Sequence, residues 1–205
     1  LNTPVKLEIA VETTLENRFE IVQKDQVYLT CGPNSIRTDI NGVTFSTPFF
    51  ITGTHFLVPR SNQHRINPTS NLMNVSVGVL RRTTTEQFIQ RRYPQAREVY
   101  FETPGGISAG LQSLAQGNID ALASDGIILI TAAITGNFPL NQYALIPEEP
   151  LTCDAYGMVM PANDRQWQNT VNTFIGSREA RTVWDKWFKN LYPYIYLNLD
   201  YCADR

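Results

Sequence analysis

What this 205-residue sequence lacks narrows it first. It has two histidines, His55 and His64, and neither has a cysteine or carboxylate at metal-ligand spacing, which excludes a zinc site. There is no Gly-x-Ser-x-Gly and no P-loop, and Gly105-Gly106 lacks the glycine spacing of a dinucleotide fingerprint. No cofactor is therefore implied, and no enzyme class announces itself. The longest apolar run, residues 127–134 interrupted by Thr131, is far short of a membrane span. An excess of one charge is also missing. With 17 basic and 19 acidic residues, and no block of five like charges, the total of −2 draws the chain neither to nucleic acid nor to an anionic membrane surface. Leu1-Asn2-Thr3-Pro4 lacks the basic and apolar regions of a signal peptide, which a mature chain would have shed.

Cysteine is scarce too. Three cysteines permit one internal disulfide and a free thiol. Cys153, after Pro150-Leu151-Thr152, and Cys202, near the end, both read as loop residues and form the favoured pair, whereas Cys31 ends an apolar run and reads as buried. A Cys153–Cys202 staple implies an oxidising compartment.

What is present is a chain that is 42% hydrophobic, enough for one large domain or two lobes of about 100 residues. Residues 5–11 alternate apolar and charged side chains as a half-buried strand does, and Thr13-Thr14-x-Glu16 opens a short helix with Leu15, Phe19 and Val22 inward. Residues 27–30 read as a second strand, and residues 43–50 and 53–59 as extended apolar segments. Residues 60–71 are polar and turn-rich, and mark a boundary. Beyond it strand and helix alternate: strand 75–80, helix 84–93, strand 98–101, helix 106–116, strand 119–123, helix 125–134, then strands 143–146 and 156–160. That order predicts an α/β fold with a parallel, helix-flanked sheet. Two amphipathic helices follow, the second carrying Trp184 and Trp187 for core packing. The division is residues 1–70 as the N-terminal part of lobe 1, 71–161 as lobe 2, and 162–205 as C-terminal helices returning to lobe 1.

Two spots carry chemistry. Thr83-Thr84-Thr85 stands where strand 75–80 hands over to a helix, and hydroxyls with the free amides of a first turn make an anion seat. Ser124-Asp125 ends strand 119–123, at the carboxyl edge where open parallel sheets bind ligands, and Asp125 makes a cation seat. Serine, threonine and aspartate are also the commonest helix caps, so each residue has a purely structural reading. Both seats on one edge suit a zwitterion such as a free α-amino acid.

Six motifs follow one another along the chain: residues 27–32, Asn34-Ser35-Ile36-Arg37, Phe45-Ser46-Thr47-Pro48-Phe49-Phe50, Val77-Gly78-Val79 through Thr83, Gly117-Asn118-Ile119-Asp120-Ala121 with Asp125, and Tyr156-Gly157-Met158 with Asn163-Asp164. With these in their order, the chain resembles the family 3 extracellular solute-binding proteins, the polar amino-acid receptors of bacterial ABC importers, whose fold also forms ionotropic glutamate receptor ligand-binding domains. It implies a two-lobe periplasmic-binding-protein-like (type II) fold that closes on a polar amino acid without catalysis and delivers it to a permease from a periplasmic or extracellular location. Arg37 would clamp the ligand's α-carboxylate, with Asn34 in the same loop. Thr83, with Thr84 or Thr85, would hold that carboxylate from lobe 2, and Asp125 would take the ammonium. Ser124 is a candidate for the ligand's side chain.

The sequence departs from the family pattern in three places. Arg82 stands where the family has glycine, the loop from Asn34 to Arg37 is short, and the first strand, ligand loop and helix of lobe 1 are missing. A lobe so shortened is expected to seek a partner, most simply as a homodimer. Two other readings remain open: a sensor module of a receptor or kinase, and a dehydratase, for which Asp125 and Glu102 are the available carboxylates.

Overall fold

The computed structural model describes residues 6, 8–10, 14–15, 17–103 and 105–203. In chain order the strands are β1 (Val43–Phe45), β2 (Phe50–Thr52), β3 (Thr54–Pro59), β4 (Ser76–Leu80), β5 (Arg97–Phe101), β6 (Ala121–Asp125), β7 (Tyr143–Ile146), β8 (Asp154–Tyr156) and β9 (Val159–Pro161). The helices are α1 (Glu20–Gln23), α2 (Thr84–Arg92), α3 (Gly106–Ala115), α4 (Gly126–Thr135), α5 (Arg165–Ile175), α6 (Arg178–Phe188) and α7 (Tyr192–Ala203). Five strands form one sheet in the order β5-β4-β6-β3-β7. The strand–helix alternation produces parallel pairing of β4 with β5 and with β6, because each crossover helix returns the chain to the same edge. The remaining two strands correct the expectation of a parallel sheet: β3 runs antiparallel to both β6 and β7.

The sheet is filled from both faces. Phe56, Val58, Val77, Val79, Ile89 and Tyr93 pack on one side, and Leu57, Leu111, Leu114, Ile119, Leu122 and Leu129 on the other. The period of two along Phe56-Leu57-Val58 sends alternate side chains to the two cores. Truncating Phe56, which is fully buried, is worth about 3–5 kcal/mol of stability.

The smaller lobe is made of the antiparallel pairs β1–β9 and β2–β8. Val22, Val43 and Val159 are its buried core. Residues 27–30 do not form the expected strand; Thr30 makes a single bridge to Val159. The expected strand 156–160 is two short strands parted at Gly157-Met158. The strand proposed for residues 5–11 falls largely outside the described residues, as do Thr13 and Glu16 of the first helix start, and Glu8, Ile9 and Ala10 are exposed without regular structure.

The chain leaves the smaller lobe through Gly53 and returns through Thr152. These crossovers touch so closely that a Cβ on Gly53 would lie 1.7 Å from the Thr152 carbonyl oxygen. The boundary drawn at residues 60–71 therefore falls inside the larger lobe: β3 precedes it and belongs to the five-stranded sheet, and Arg60–Arg65 is a 3-10 turn. Apolar content alone could not show this, because β3 is as hydrophobic as the strands that follow. Helix α7 lies against β2 and is bonded to the return crossover through Cys153–Cys202. Cys31, expected to be buried, is a free and exposed cysteine.

Candidate functional site

The carboxyl ends of β4 and β6 are neighbours, and the residues that follow them meet. Thr83 caps α2: its Oγ1 accepts from the Glu86 amide at 3.1 Å and its hydroxyl donates to the Leu80 carbonyl at 2.7 Å. Its side chain is thereby engaged, which leaves the first-turn amides of Thr84 and Thr85 as the donors of this end. Arg82, before the cap, sits at φ 63°, the left-handed conformation that glycine adopts without a Cβ penalty. The Thr85 hydroxyl donates to Asp125 Oδ1 at 3.4 Å, so the anion and cation seats are in contact.

Asp125 is the last residue of β6 and is buried. The Tyr156 hydroxyl donates to its Oδ2. Burial, and then the nearby Asp154, push its pKa up to about 7, against the downward pull of the Tyr156 and Thr85 hydrogen bonds. Asp154 is likewise raised by burial, while hydrogen bonds from Thr152 and Ser35 hold it down. A chain of hydroxyls joins the two acids: Thr85 to Thr54 at 3.4 Å, Thr54 to Thr152 at 3.1 Å, and Thr152 to Asp154. Ser35, from the smaller lobe, reaches Thr84 of the larger one at 3.4 Å. Ser124 is buried within β6 opposite His55, one residue out of phase with Asp125 and so on the other face of the strand.

The smaller lobe supplies cations. Arg37 forms a fork-to-fork pair with Asp39, at 2.7 Å from Nε and 2.5 Å from Nη2. Asn34 is buried and turned into its own loop, its amide donating to Thr30 and to the Gly32 carbonyl. These bonds shape the loop. Glu102, the other acid considered for catalysis, pairs with Arg81 at 3.2 Å on the surface.

The residues that the sequence reading passed over are Arg18, Asp154, Tyr156 and Tyr194. Arg18 stacks over Phe19 at 4.7 Å, and its Nε is buried with no hydrogen-bond partner among the described residues. Burial lowers its pKa first and the neighbouring Arg37 second. Tyr156 interacts electrostatically with Arg18 and bonds Asp125, so it links the two charges. Tyr194, on α7, places its hydroxyl 3.3 Å from Thr52 Oγ1 and against Gly126, where a Cβ would lie 2.2 Å away. Since Gly126 follows Asp125, the C-terminal helix buttresses the acidic seat. Tyr194 is one of four tyrosines on this helix, and nothing in the sequence singles it out.

No family model matches the chain. Over 98% of its length it is 25% identical to the glutamate/aspartate import solute-binding protein of Escherichia coli, covering 67% of that protein, and 24% identical to the protein of the same name from Salmonella typhimurium. Among solved structures, an ABC-transporter binding component from Wolinella succinogenes complexed with lysine superposes with a TM-score of 0.78 at 16% identity, over 91% of this chain and 78% of that one. An ancestral amino acid-binding protein, described as a precursor of cyclohexadienyl dehydratase, gives 0.74 at 21% identity, over 88% of this chain and 75% of that one. The ligand-binding core of GluR0 with L-glutamate gives 0.69 at 23% identity, over 80% and 72%. The two-lobe fold and the resemblance to family 3 solute-binding proteins, read from the motifs, are borne out.

Proposed function

We propose that the chain is an exported solute-binding protein that captures a free acidic α-amino acid between its lobes and presents it to an ABC importer. The observation that carries this reading is charge placement. Asp125 is fixed on the larger lobe, whereas two guanidiniums, Arg18 and Arg37, stand together on the smaller one, and Arg18 has no carboxylate paired with it among the described residues. A ligand with one ammonium and two carboxylates matches that set. Asp125 takes the ammonium, held in place by Tyr156 and Thr85. Arg37 and the first-turn amides of Thr84 and Thr85 take the α-carboxylate, and Arg18 takes the side-chain carboxylate. The names of the two curated relatives support the acidic class. The disulfide supports export, and no described helix is long and apolar enough to cross a membrane.

Titration calorimetry against the twenty amino acids tests the assignment. Glutamate or aspartate should bind best, with the corresponding amide at least tenfold weaker, and Arg18→Gln should erase that preference while Arg37 still holds the α-carboxylate. Tightest binding of a basic amino acid would overturn the role given to Arg18.

The Asp125–Asp154 pair favours a second reading, acid–base chemistry, because a carboxyl group near pKa 7 can both give and take a proton at neutral pH. Proton NMR of the bound amino acid in deuterated buffer separates the two: unchanged Cα–H intensity over days sustains a binding protein.

A further inference from the structure

The near-zero total charge conceals a segregation that the fold makes spatial. Residues 60–97 contain seven arginines and a single acid, Glu86, whereas residues 98–164 contain eight acids and no lysine or arginine. Parallel strands β4, β5 and β6 start at one pole of the larger lobe and end at the cleft. The 3-10 turn after β3, the carboxyl end of α2 and the start of β5 all lie at the starting pole. Arg60, Arg65, Arg91, Arg92 and Arg97 are gathered there, every one of them exposed. The acids nearby are Asp120, bound by the Ser76 amide and hydroxyl and flanked by Arg65 and Arg97, and Glu98, one of whose oxygens is buried. Glu102, Glu148 and Glu149 stand elsewhere, at the cleft end of the same lobe.

Met73 projects from the middle of this pole and is 60% exposed. It stands between Leu72 and Asn74, both in the left-handed region at φ 52° and 64°, and Leu72 is 2% exposed, so the knuckle is anchored inward and aims the methionine outward. The loop beneath is tied to α2. Tyr93 donates to the Pro68 carbonyl at 2.7 Å, Arg92 to the Thr69 carbonyl at 3.2 Å, and Asn71 to Gln95 at 2.7 Å.

We propose that this pole is a docking surface for an anionic lipid bilayer. The five guanidiniums meet headgroup phosphates, and the Met73 side chain enters the boundary between headgroups and acyl chains. Guanidiniums suit phosphate oxygens, and a bilayer presents those oxygens as a continuous layer that matches arginines spread over a turn, a helix end and a strand start, with the methionine tip among them. The acids stand at the opposite end of the lobe, so docking at this pole holds the protein in an orientation that captures ligand, distinct from the one in which it would meet an importer.

Co-sedimentation with vesicles of phosphatidylcholine alone, and of phosphatidylcholine mixed with phosphatidylglycerol, tests this. Binding to the mixed vesicles only is expected, falling steeply as salt shortens the screening length from about 10 Å to about 3 Å. Arg91→Gln with Arg97→Gln should weaken partitioning by on the order of tenfold or more, at about fivefold per arginine. Met73→Asp should weaken it further at low salt, and both variants should retain wild-type amino-acid affinity. Equal binding to both vesicle types overturns the proposal. So does no binding to either. Capture by polyglutamate without vesicle binding overturns it in favour of an acidic protein partner.

Discussion

The two sides of the cleft hold their charges differently. On the larger lobe, Asp125 ends a strand inside a five-stranded sheet, is 5% exposed, and is gripped by Tyr156 and Thr85. On the smaller lobe, Arg37 lies on a loop and is occupied by Asp39, whose side chain is 62% exposed, while Arg18 leans on Phe19 beside it. One seat is fixed before the ligand arrives; the other must exchange a partner or find one. Preorganisation therefore places the strict requirement on the ammonium and leaves the anionic groups of the ligand to adjustable side chains.

The largest expected effect comes from breaking the fixed side. Asp125→Ala leaves the ligand's ammonium buried without a counter-charge, a loss of about 2–5 kcal/mol in binding by calorimetry. Retained affinity would show that the two sides do not differ as described.

Protonation is the next lever. Binding an ammonium requires the Asp125 carboxylate, so affinity should fall by up to about tenfold per pH unit below 7 and level off above it. The ligand-free fold should respond in the opposite sense. A carboxyl group raised to about 7 in the folded state keeps its proton after the unfolded chain has released one near pH 4. The unliganded protein should therefore lose stability as pH rises from about 4 to 7, by up to about 1.4 kcal/mol per unit. Asp125→Asn should flatten this part of the chemical-denaturation profile, and a slope unchanged in that variant would assign the titration to Asp154.

A smaller effect is expected from the buttress. Tyr194→Phe removes the hydroxyl beside Thr52 and Gly126 and should weaken ligand binding by about three- to tenfold, in line with one lost hydrogen bond. Tyr196→Phe, on an exposed face of the same helix, should change nothing. Smallest is the adjustable side itself. Asp39→Asn frees the Arg37 fork and should tighten binding by at most about fivefold, since an exposed ion pair contributes little. Weaker binding in that variant would mean that Asp39 holds Arg37 in its working position.

Much of the larger lobe was legible in the sequence because its signals are local. Strand 143–146 matches β7, and helix 84–93 ends one residue from α2. The last strand before α4 reads as 119–123 but spans Ala121–Asp125, because Ser124 and Asp125 look like a cap and not like the end of a strand. The strand–helix order puts Thr85 and Asp125 on one sheet edge, and the structure brings them into contact. The family resemblance makes Asn34 and Thr83 ligand groups, and the structure engages their side chains in a loop and a cap, because short polar side chains serve both ends equally well.

By itself the sequence determined the alternation that makes three strands parallel, the carboxylate at the end of β6, and the absence of metal-ligand or nucleotide motifs. Those follow from periodicity and spacing, which act over a few residues. Only the tertiary structure decided that β3 crosses into the larger lobe, that Asp154, Tyr156 and Thr85 surround Asp125, that Arg18 stands beside Arg37, and that arginines from a turn, a helix end and a strand start share one pole. Each is a meeting of residues tens of positions apart, fixed by burial and strand pairing, and composition along the chain carries no record of it.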